Sequence, residues 1–400
     1  MEKRMSDKLD LVVGLTASIS IYKGLELIRL FKKSGVNVIP IMTPDSKRFI
    51  SPLLVGSLCE SDVYSDMFDE SGGRFYHIML SRGAGAILIA PATANTIAKI
   101  ASGLADNLLT SLVLASRVPV IIAPAMNVRM FENEITQENI SRLKRYDRFR
   151  FVMPERGELA CGDTGTGRLA DISDIFDFTM GFLHKEQILK GRRVMVSAGP
   201  TREFMDTVRF ISNPSSGKMG YELARVASWL GADVTLISGP VNIKPPYGVR
   251  VINVVSAKEM EGAILNGKGK YDLLVMNAAV SDWRFKKVYD KKIKRGGGVV
   301  NVELVENDDI LKKAAMSGRF RFTIGFAAES EDIIRNAKDK IAKKGIDGIV
   351  VNDVKRSDVG FASEFNEGRI ILKDGIEIGI ERCTKREMAY KIFEAIYRRL

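Results

Sequence analysis

Histidine is nearly missing from this chain: 400 residues hold only His77 and His184, so imidazole chemistry is confined to two positions. Cysteine is almost as scarce. Cys59, Cys161 and Cys383 lie too far apart for the paired spacing of a zinc site or a disulfide framework, so each must be judged alone. No apolar run reaches the length of a membrane span and no leader-like segment precedes the first apolar strand, which predicts a cytoplasmic protein without a membrane partner. Fixed-period repeats and low-complexity tracts are absent as well. What is there is ordinary globular material, 46% hydrophobic and 27% charged, enough for two domains with sizeable cores. The net charge of +11 suits nucleic acid, but it equally suits substrates carrying phosphates or carboxylates. Because the lysines mostly alternate with acids along helices, we read small anions, and no nucleic acid, as the partners.

The first half reads as β-α-β grammar: an apolar strand at Leu11-Val12-Val13, the turn Gly14-Leu15-Thr16-Ala17-Ser18-Ile19-Ser20, an amphipathic helix from Ile21 to Lys33, a stop at Gly35 and a strand from Val36 to Met42. Buried strands at 86–90 and 118–123 end in Pro91-Ala92-Thr93-Ala94-Asn95 and Pro124-Ala125-Met126-Asn127. Ligands of open α/β sheets bind just beyond such carboxyl ends. A helix is predicted around 130–146 and a strand at 151–153. The glycine-rich stretch 157–168 reads as a mobile flap carrying Cys161, followed by a helix over 171–184 and a linker over 185–193. The grammar then repeats, with strands predicted at 193–197, 233–238, 249–253, 271–276, 322–326 and 347–351, a hairpin at Asp374-Gly375 and a final helix over 384–399. This gives an α/β chain of two domains, 1–187 and 188–400.

Several stretches carry chemistry. The first turn departs from the dinucleotide pattern Gly-x-Gly-x-x-Gly by being rich in hydroxyls, which suits a terminal phosphate and hence a mononucleotide such as FMN; otherwise it is a well-capped helix start. His77, inside an apolar run, is either a satisfied core residue or a catalyst. Asn127 stands at a strand end where a carboxamide can grip a carboxylate or a flavin edge. Cys161, between small and acidic neighbours, is either an activated thiol or a surface cysteine without a role. The central stretch from Ser197 to Glu203, continuing through Ile211 to Gly220, reads as a second anion-binding strand-to-helix turn. In Asn277-Ala278-Ala279-Val280-Ser281-Asp282-Trp283 small side chains let a base or ribose approach, beside an acid that can bind a hydroxyl, an amino group or Mg²⁺. The run Lys286, Lys287, Lys291, Lys292, Lys294 and Arg295 is either a solvated surface or a triphosphate site, and Lys340 and Lys344 share one helix face.

Taken in their order, these residues resemble one family over nearly the whole chain: the bifunctional enzyme of coenzyme A biosynthesis, phosphopantothenoylcysteine decarboxylase joined to phosphopantothenate–cysteine ligase. The resemblance rests on Gly14–Lys23, His77, 91–96, 124–130, Ala160-Cys161-Gly162-Asp163, Ser197–Glu203, Ile211–Gly220, Asn277–Trp283, Lys292-Ile293-Lys294 and Gly325-Phe326-Ala327-Ala328-Glu329. It implies two Rossmann-like domains, the first a flavodoxin-like flavoprotein and the second a nucleotide-binding ligase. FMN would be held by Gly14, Thr16, Ala17, Ser18, Thr43, Thr93, Asn95 and Met126. By the same resemblance, the thiol of 4′-phosphopantothenoylcysteine is oxidised to a thioaldehyde, carbon dioxide is lost, and re-reduction gives 4′-phosphopantetheine. His77 would assist oxidation and decarboxylation, Asn127 would hold the carboxylate, and Cys161 would return a proton.

The second half would use CTP, with Mg²⁺ offsetting its charge, to activate 4′-phosphopantothenate as an acyl-cytidylate that cysteine then attacks. Asn213 and Lys292 match its catalytic residues; Gly199, Ala278, Asp282, Lys292, Phe326, Lys340 and Lys344 match its nucleotide pocket. The family implies a homo-oligomer, trimers of the first domain linked by dimers of the second into a dodecamer. Phe131 and Arg295 depart from its usual tryptophan and lysine, conserving aromaticity and charge. Two rivals are a nicotinamide-dependent reductase, which lacks its glycine turn here, and a flavin-binding regulatory subunit, in which the flap cysteine is often missing.

Overall fold

The computed structural model describes residues 10–68, 75–158, 162–184, 186–267, 269–294, 299–329, 333–353 and 363–400. They form two units, Met1–Lys185 and Glu186–Leu400. Cys161 and Arg295 lie outside the described residues.

In the first unit, β1 (Asp10–Leu15) is buried from Leu11 onward on both faces, which is what an inner strand of a helix-covered parallel sheet requires. The helix that follows, α1 (Ile21–Lys33), lays Ile21, Gly24, Leu27, Ile28 and Phe31 on the sheet at helical spacing. Each fully buried Leu, Ile or Phe contributes about 1.5–3 kcal/mol. The chain continues through β2 (Asn37–Met42), α2 (Pro52–Cys59), α3 (Tyr76–Gly83), β3 (Ala86–Ala92), α4 (Ala94–Ser102), α5 (Leu108–Ala115), β4 (Val120–Pro124), α6 (Val128–Glu132), α7 (Glu134–Lys144), β5 (Phe149–Phe151), the antiparallel pair β6 (Glu155–Glu158) and β7 (Thr164–Arg168), and α8 (Ile172–Leu183). The parallel sheet runs β2-β1-β3-β4-β5, the flavodoxin-like order, and reverses direction between β1 and β3.

Two sequence expectations change here. The single helix expected over 130–146 is divided, because the Asn133 side chain accepts from Ile135 N at 3.0 Å and so starts α7 where α6 ends. The described part of the glycine-rich stretch is a paired hairpin rather than loose chain. At Gly167 any side chain would collide with the Met126 carbonyl, so the glycine serves close packing there.

The second unit contains β8 (Arg193–Ala198), the short pair β9 (Arg202–Phe204) and β10 (Phe210–Ser212), α9 (Lys218–Trp229), β11 (Asp233–Ser238), β12 (Arg250–Asn253), α10 (Ala257–Leu265), β13 (Tyr271–Met276), a second short pair β14 (Trp283–Phe285) and β15 (Leu304–Glu306), α11 (Ile310–Met316), β16 (Phe320–Glu329), α12 (Ile333–Lys344), β17 (Gly348–Asp353), the hairpin β18 (Phe365–Leu372) and β19 (Glu377–Thr384), and α13 (Lys385–Ile396). Its sheet runs β12-β11-β8-β13-β16-β17-β18-β19 and is parallel up to β17. The first six follow the doubly wound order that reverses between β8 and β13. The β18–β19 hairpin turns at Asp374-Gly375, as expected from the sequence. Helices α9 and α13 pack on each other, with Arg386 stacked 5.1 Å over the Trp229 ring, while α10 and α11 enclose a separate apolar cluster around Met260, Ile264 and Leu274.

At each reversal a hydroxyl bridges the two diverging strands. Thr16 Oγ1 donates to Pro91 O at 2.7 Å and accepts from Thr93 N at 3.1 Å. Ser197 Oγ accepts from Asn277 N at 3.2 Å and Ala278 N at 3.1 Å. Just beyond, α9 lies so close to β8 that a Cβ on Gly220 would meet the Ala198 Cβ at 2.5 Å.

Thr16→Val leaves two backbone groups without their partner and lowers the stability of the first unit by about 1–3 kcal/mol. Amide exchange at Thr93 should accelerate in that variant; exchange as slow as in the wild type would show that the bridge is not made in solution. Gly220→Ala drives α9 off β8 at a cost of about 1–3 kcal/mol. Both tryptophans, Trp229 and Trp283, belong to the second unit. Denaturant unfolding followed by tryptophan fluorescence therefore reads the loss, and an unchanged midpoint refutes it.

Candidate functional site

The first unit gathers the loops after β1, β2, β3 and β4 by backbone bonds. Thr43 N donates to Leu15 O at 3.1 Å, Ala125 N to Ala92 O at 3.0 Å, and Met126 N to Gly167 O at 3.0 Å. Thr16, Ala17, Ser18, Thr43, Thr93 and Met126 therefore lie on adjoining loops, with Gly14 near the end of β1 and Asn95 exposed in the first turn of α4. The hydroxyls divide their labour. The Thr16 proton is committed to Pro91 O, so this side chain holds the floor of the crevice. Ser18 Oγ accepts from Ser20 N at 3.3 Å and keeps its own proton to donate. Ser20 heads α1 without a side-chain cap, whereas Thr93, Asn107, Asn127 and Asp171 each cap theirs. An uncapped helix start beside a free hydroxyl fits a phosphate.

His77 falls in the first turn of α3, which packs on α5. Its Nδ1 is buried without a hydrogen-bond partner among the described residues, and its ring stands edge-on to Phe75 with centroids 6.2 Å apart. Asn127 caps α6 through Oδ1, which accepts from Arg129 N at 2.8 Å, and its Nδ2 donates to Asp163 Oδ2 at 3.0 Å. The amide thus holds a carboxylate in this structure, that of a residue in the hairpin. Cys161 lies two positions before Asp163, outside the described residues. The other two cysteines are buried; burial pushes the Cys59 thiol up to about 11, with Lys32 only partly opposing it, and raises Cys383 as well. Neither is poised to react as a thiolate.

In the second unit a cavity of about 750 Å³ opens beyond β13 and β16, lined by Asn213, Ala278, Asp282, Phe326 and Lys344 among the expected residues. Gly199 adjoins it through its carbonyl, which accepts from Ala279 N at 2.9 Å. Asn213 Nδ2 donates to Val280 O at 3.0 Å, which places the amide over the Ala278–Ser281 strand end. Lys292 and Lys340 are not among the lining residues. Lys340 stands one turn before Lys344 on α12, and Lys344 is paired with Asp309 at 2.9 Å. Like α1, α9 starts without a side-chain cap, at Gly217. The segment Asn307-Asp308-Asp309-Ile310 also lines the cavity and escaped sequence reasoning. Asn307 donates from N to Asp282 O and from Nδ2 to Ser281 O, both at 2.8 Å, and Asp309 caps α11 by accepting from Lys312 N at 3.0 Å. Its signal was present as a polar cap residue ahead of an apolar helix start. Among the described residues no group of three or more His, Cys, Asp or Glu is arranged to hold a metal ion, and no helix is long and apolar enough to cross a membrane.

Residues 1–184 match the Flavoprotein family model, and residues 189–400 match that of the DNA/pantothenate metabolism flavoprotein C-terminal domain. The coenzyme A biosynthesis bifunctional protein CoaBC of Bacillus subtilis is 40% identical over 98% of this chain and 97% of its own length. The protein of the same name from Haemophilus influenzae is 40% identical over 91% of each chain. A cysteine/cysteine sulfinic acid decarboxylase from an unknown prokaryotic organism is 42% identical over 87% of this chain and 98% of its own. With a flavoprotein unit followed by this C-terminal domain, and relatives aligned nearly end to end, the chain belongs to the family of bifunctional coenzyme A biosynthesis proteins.

Proposed function

We propose that this protein performs two consecutive steps of coenzyme A assembly: residues 188–400 ligate 4′-phosphopantothenate to cysteine at the expense of CTP, and residues 1–187 decarboxylate the product to 4′-phosphopantetheine with FMN. The observation that carries this reading is the near end-to-end match to bifunctional relatives. The product of one half is the substrate of the other, so their fusion is chemically sensible.

Activation comes first, because a carboxylate is a poor acyl donor. Attack of its oxygen on the α-phosphorus of CTP releases pyrophosphate and leaves an acyl-cytidylate; the cysteine amine then forms the amide and CMP departs. Lys292, Lys340 and Lys344 supply positive charge for the phosphates, with Mg²⁺ arriving on the triphosphate. Ala278 and Phe326 border the nucleoside, Asp282 accepts from it, and Asn213 faces the acyl group. In the first unit, the uncapped start of α1 and Ser18 suit the phosphate of FMN, which when bound supplies a two-electron oxidation of the substrate thiol and the return of that electron pair. The Asn127 amide, already suited to a carboxylate, orients the group that leaves as carbon dioxide. The unpartnered nitrogen of His77 takes a proton during oxidation, and Cys161 returns one to carbon at the end. The hairpin that carries Cys161 would keep water from the reactive sulfur species. Assembly through trimers of the first domain and dimers of the second is part of the same proposal.

A second reading follows from the relative named cysteine/cysteine sulfinic acid decarboxylase. There the substrate of the first unit would be free cysteine, whose carboxylate and thiol bear the same relation.

Incubation with 4′-phosphopantothenate, cysteine, Mg²⁺ and either CTP or ATP, with products identified by mass, should give 4′-phosphopantetheine and CMP. Cysteamine from cysteine alone would favour the second reading, and amide formation with ATP but not CTP would overturn the nucleotide. Asn213→Asp and Lys292→Ala should each abolish amide formation, and unchanged turnover in both would refute that site. Cys161→Ser should halt the first half at an oxidised intermediate while ligation persists; normal pantetheine product from this variant sinks the role of Cys161. At neutral pH a maleimide should label Cys161 and spare Cys59 and Cys383 until the chain is unfolded, read by mass mapping.

A further inference from the structure

The turn between β9 and β10 holds a carboxylate that does more than shape the turn. The Asp206 side chain is fully shielded from solvent. Its Oδ1 accepts from Val208 N and Arg209 N, both at 2.8 Å, and these two bonds suffice to build the turn. Its Oδ2 is directed elsewhere: it accepts from Arg209 Nη1 at 3.0 Å and from Ile293 N at 3.1 Å. Arg209 Nη2 in turn donates to Ile293 O at 3.1 Å. Both polar groups of one backbone residue, more than 80 positions away in sequence, are thus gripped by a single ion pair. A further bond, Tyr289 N to Met205 O at 2.9 Å, holds the start of the same segment to the same turn. Burial alone pushes the Asp206 carboxyl up, but the N–H groups of Arg209, Val208 and Ile293 together with the Arg209 charge outweigh it and keep the group below the usual carboxylate range.

The segment so held, 286–294, has almost no regular structure of its own after β14 ends at Phe285, and it carries Lys286, Lys287, Lys291, Lys292 and Lys294. Lys286 is paired with Glu303 at 3.0 Å, and the ammonium groups of Lys287, Lys291, Lys292 and Lys294 share the short irregular segment with a single acid, Asp290, so their mutual repulsion would spread it. Clamping Ile293 restrains the two lysines on either side of it. On its other side the turn continues directly through β10 into Asn213.

We infer that Asp206 is a positioning residue of the ligase half, acting through the Ile293 backbone to set Lys292 against the phosphates of the nucleotide in register with Asn213. The inference rests on the reading of Lys292 given above. It requires no contact between Asp206 and any ligand.

The test uses the full-length protein and calorimetric binding of CTP in the presence of Mg²⁺. Lys292→Ala and Asp206→Asn should each weaken binding about tenfold or more, the scale of one charge-assisted contact. The double variant should be no weaker than the poorer single, because both changes remove the same interaction. Tryptophan fluorescence, which reports the second unit because Trp229 and Trp283 both belong to it, should remain that of the folded wild type in all three, which separates a lost position from a damaged chain. Should Asp206→Asn fail to fold, Ile293→Pro removes the N–H while leaving the Asp206–Arg209 turn intact, and should weaken binding in the same way. Wild-type affinity in both Asp206→Asn and Ile293→Pro, or losses that multiply in the double variant, would overturn the inference while leaving Lys292 in place. Wild-type affinity in Lys292→Ala would instead remove the reading of Lys292, and the inference with it.

Discussion

The reversal of strand order is the constraint on which both units depend. Where successive crossovers leave a parallel sheet in opposite directions, the loops beyond the two central strands part and a crevice opens between them. Its floor would be two unpaired strand ends. In each unit a side-chain hydroxyl joins those ends, Thr16 to the Pro91–Thr93 loop and Ser197 to Asn277 and Ala278. These hydroxyls are occupied by the floor, while the helix starts beside them, at Ser20 and Gly217, are capped by no side chain.

Charge is handled differently in the two crevices. In the first unit a carboxylate, Asp163, is held by the neutral Asn127 amide, and His77 Nδ1 has no partner among the described residues. In the second, opposite charges are already paired around the cavity: Lys344 with Asp309, and Lys313 with Glu261 and Asp308 at 2.6 and 2.9 Å. A phosphate entering there must exchange partners with a carboxylate, so the net gain is a difference between two ion pairs rather than the full attraction of one.

Much of the framework was legible from the residues. Continuous apolar runs such as 86–90 and 273–276, closed by Pro91 and Asn277, have few alternatives to a buried parallel strand, and α1 follows its periodicity from Ile21 to Lys33. The short pairs β9–β10 and β14–β15 were not legible, since strands of three residues have no period to detect and exist through bonds to distant segments. The same holds within the sites. Asn127 announces itself at a strand end and Asn213 through the family resemblance, but that Thr16 serves the floor, or that Asn307 reaches Ser281, depends on neighbours 75 and 26 positions away. The hairpin after β5 was misjudged because its glycines mark close packing on Met126 and Val128, and composition alone cannot separate that from looseness.

The cap of α6 has one more consequence. A carboxamide has two ends of opposite polarity that ordinarily interchange by a half-turn about χ2. At Asn127 the oxygen is held by the helix it starts, so the half-turn is forbidden and only the NH₂ end faces outward. The residue therefore works as a rectifier: a helix boundary fixes which polarity its carboxamide shows, a donor and not an acceptor.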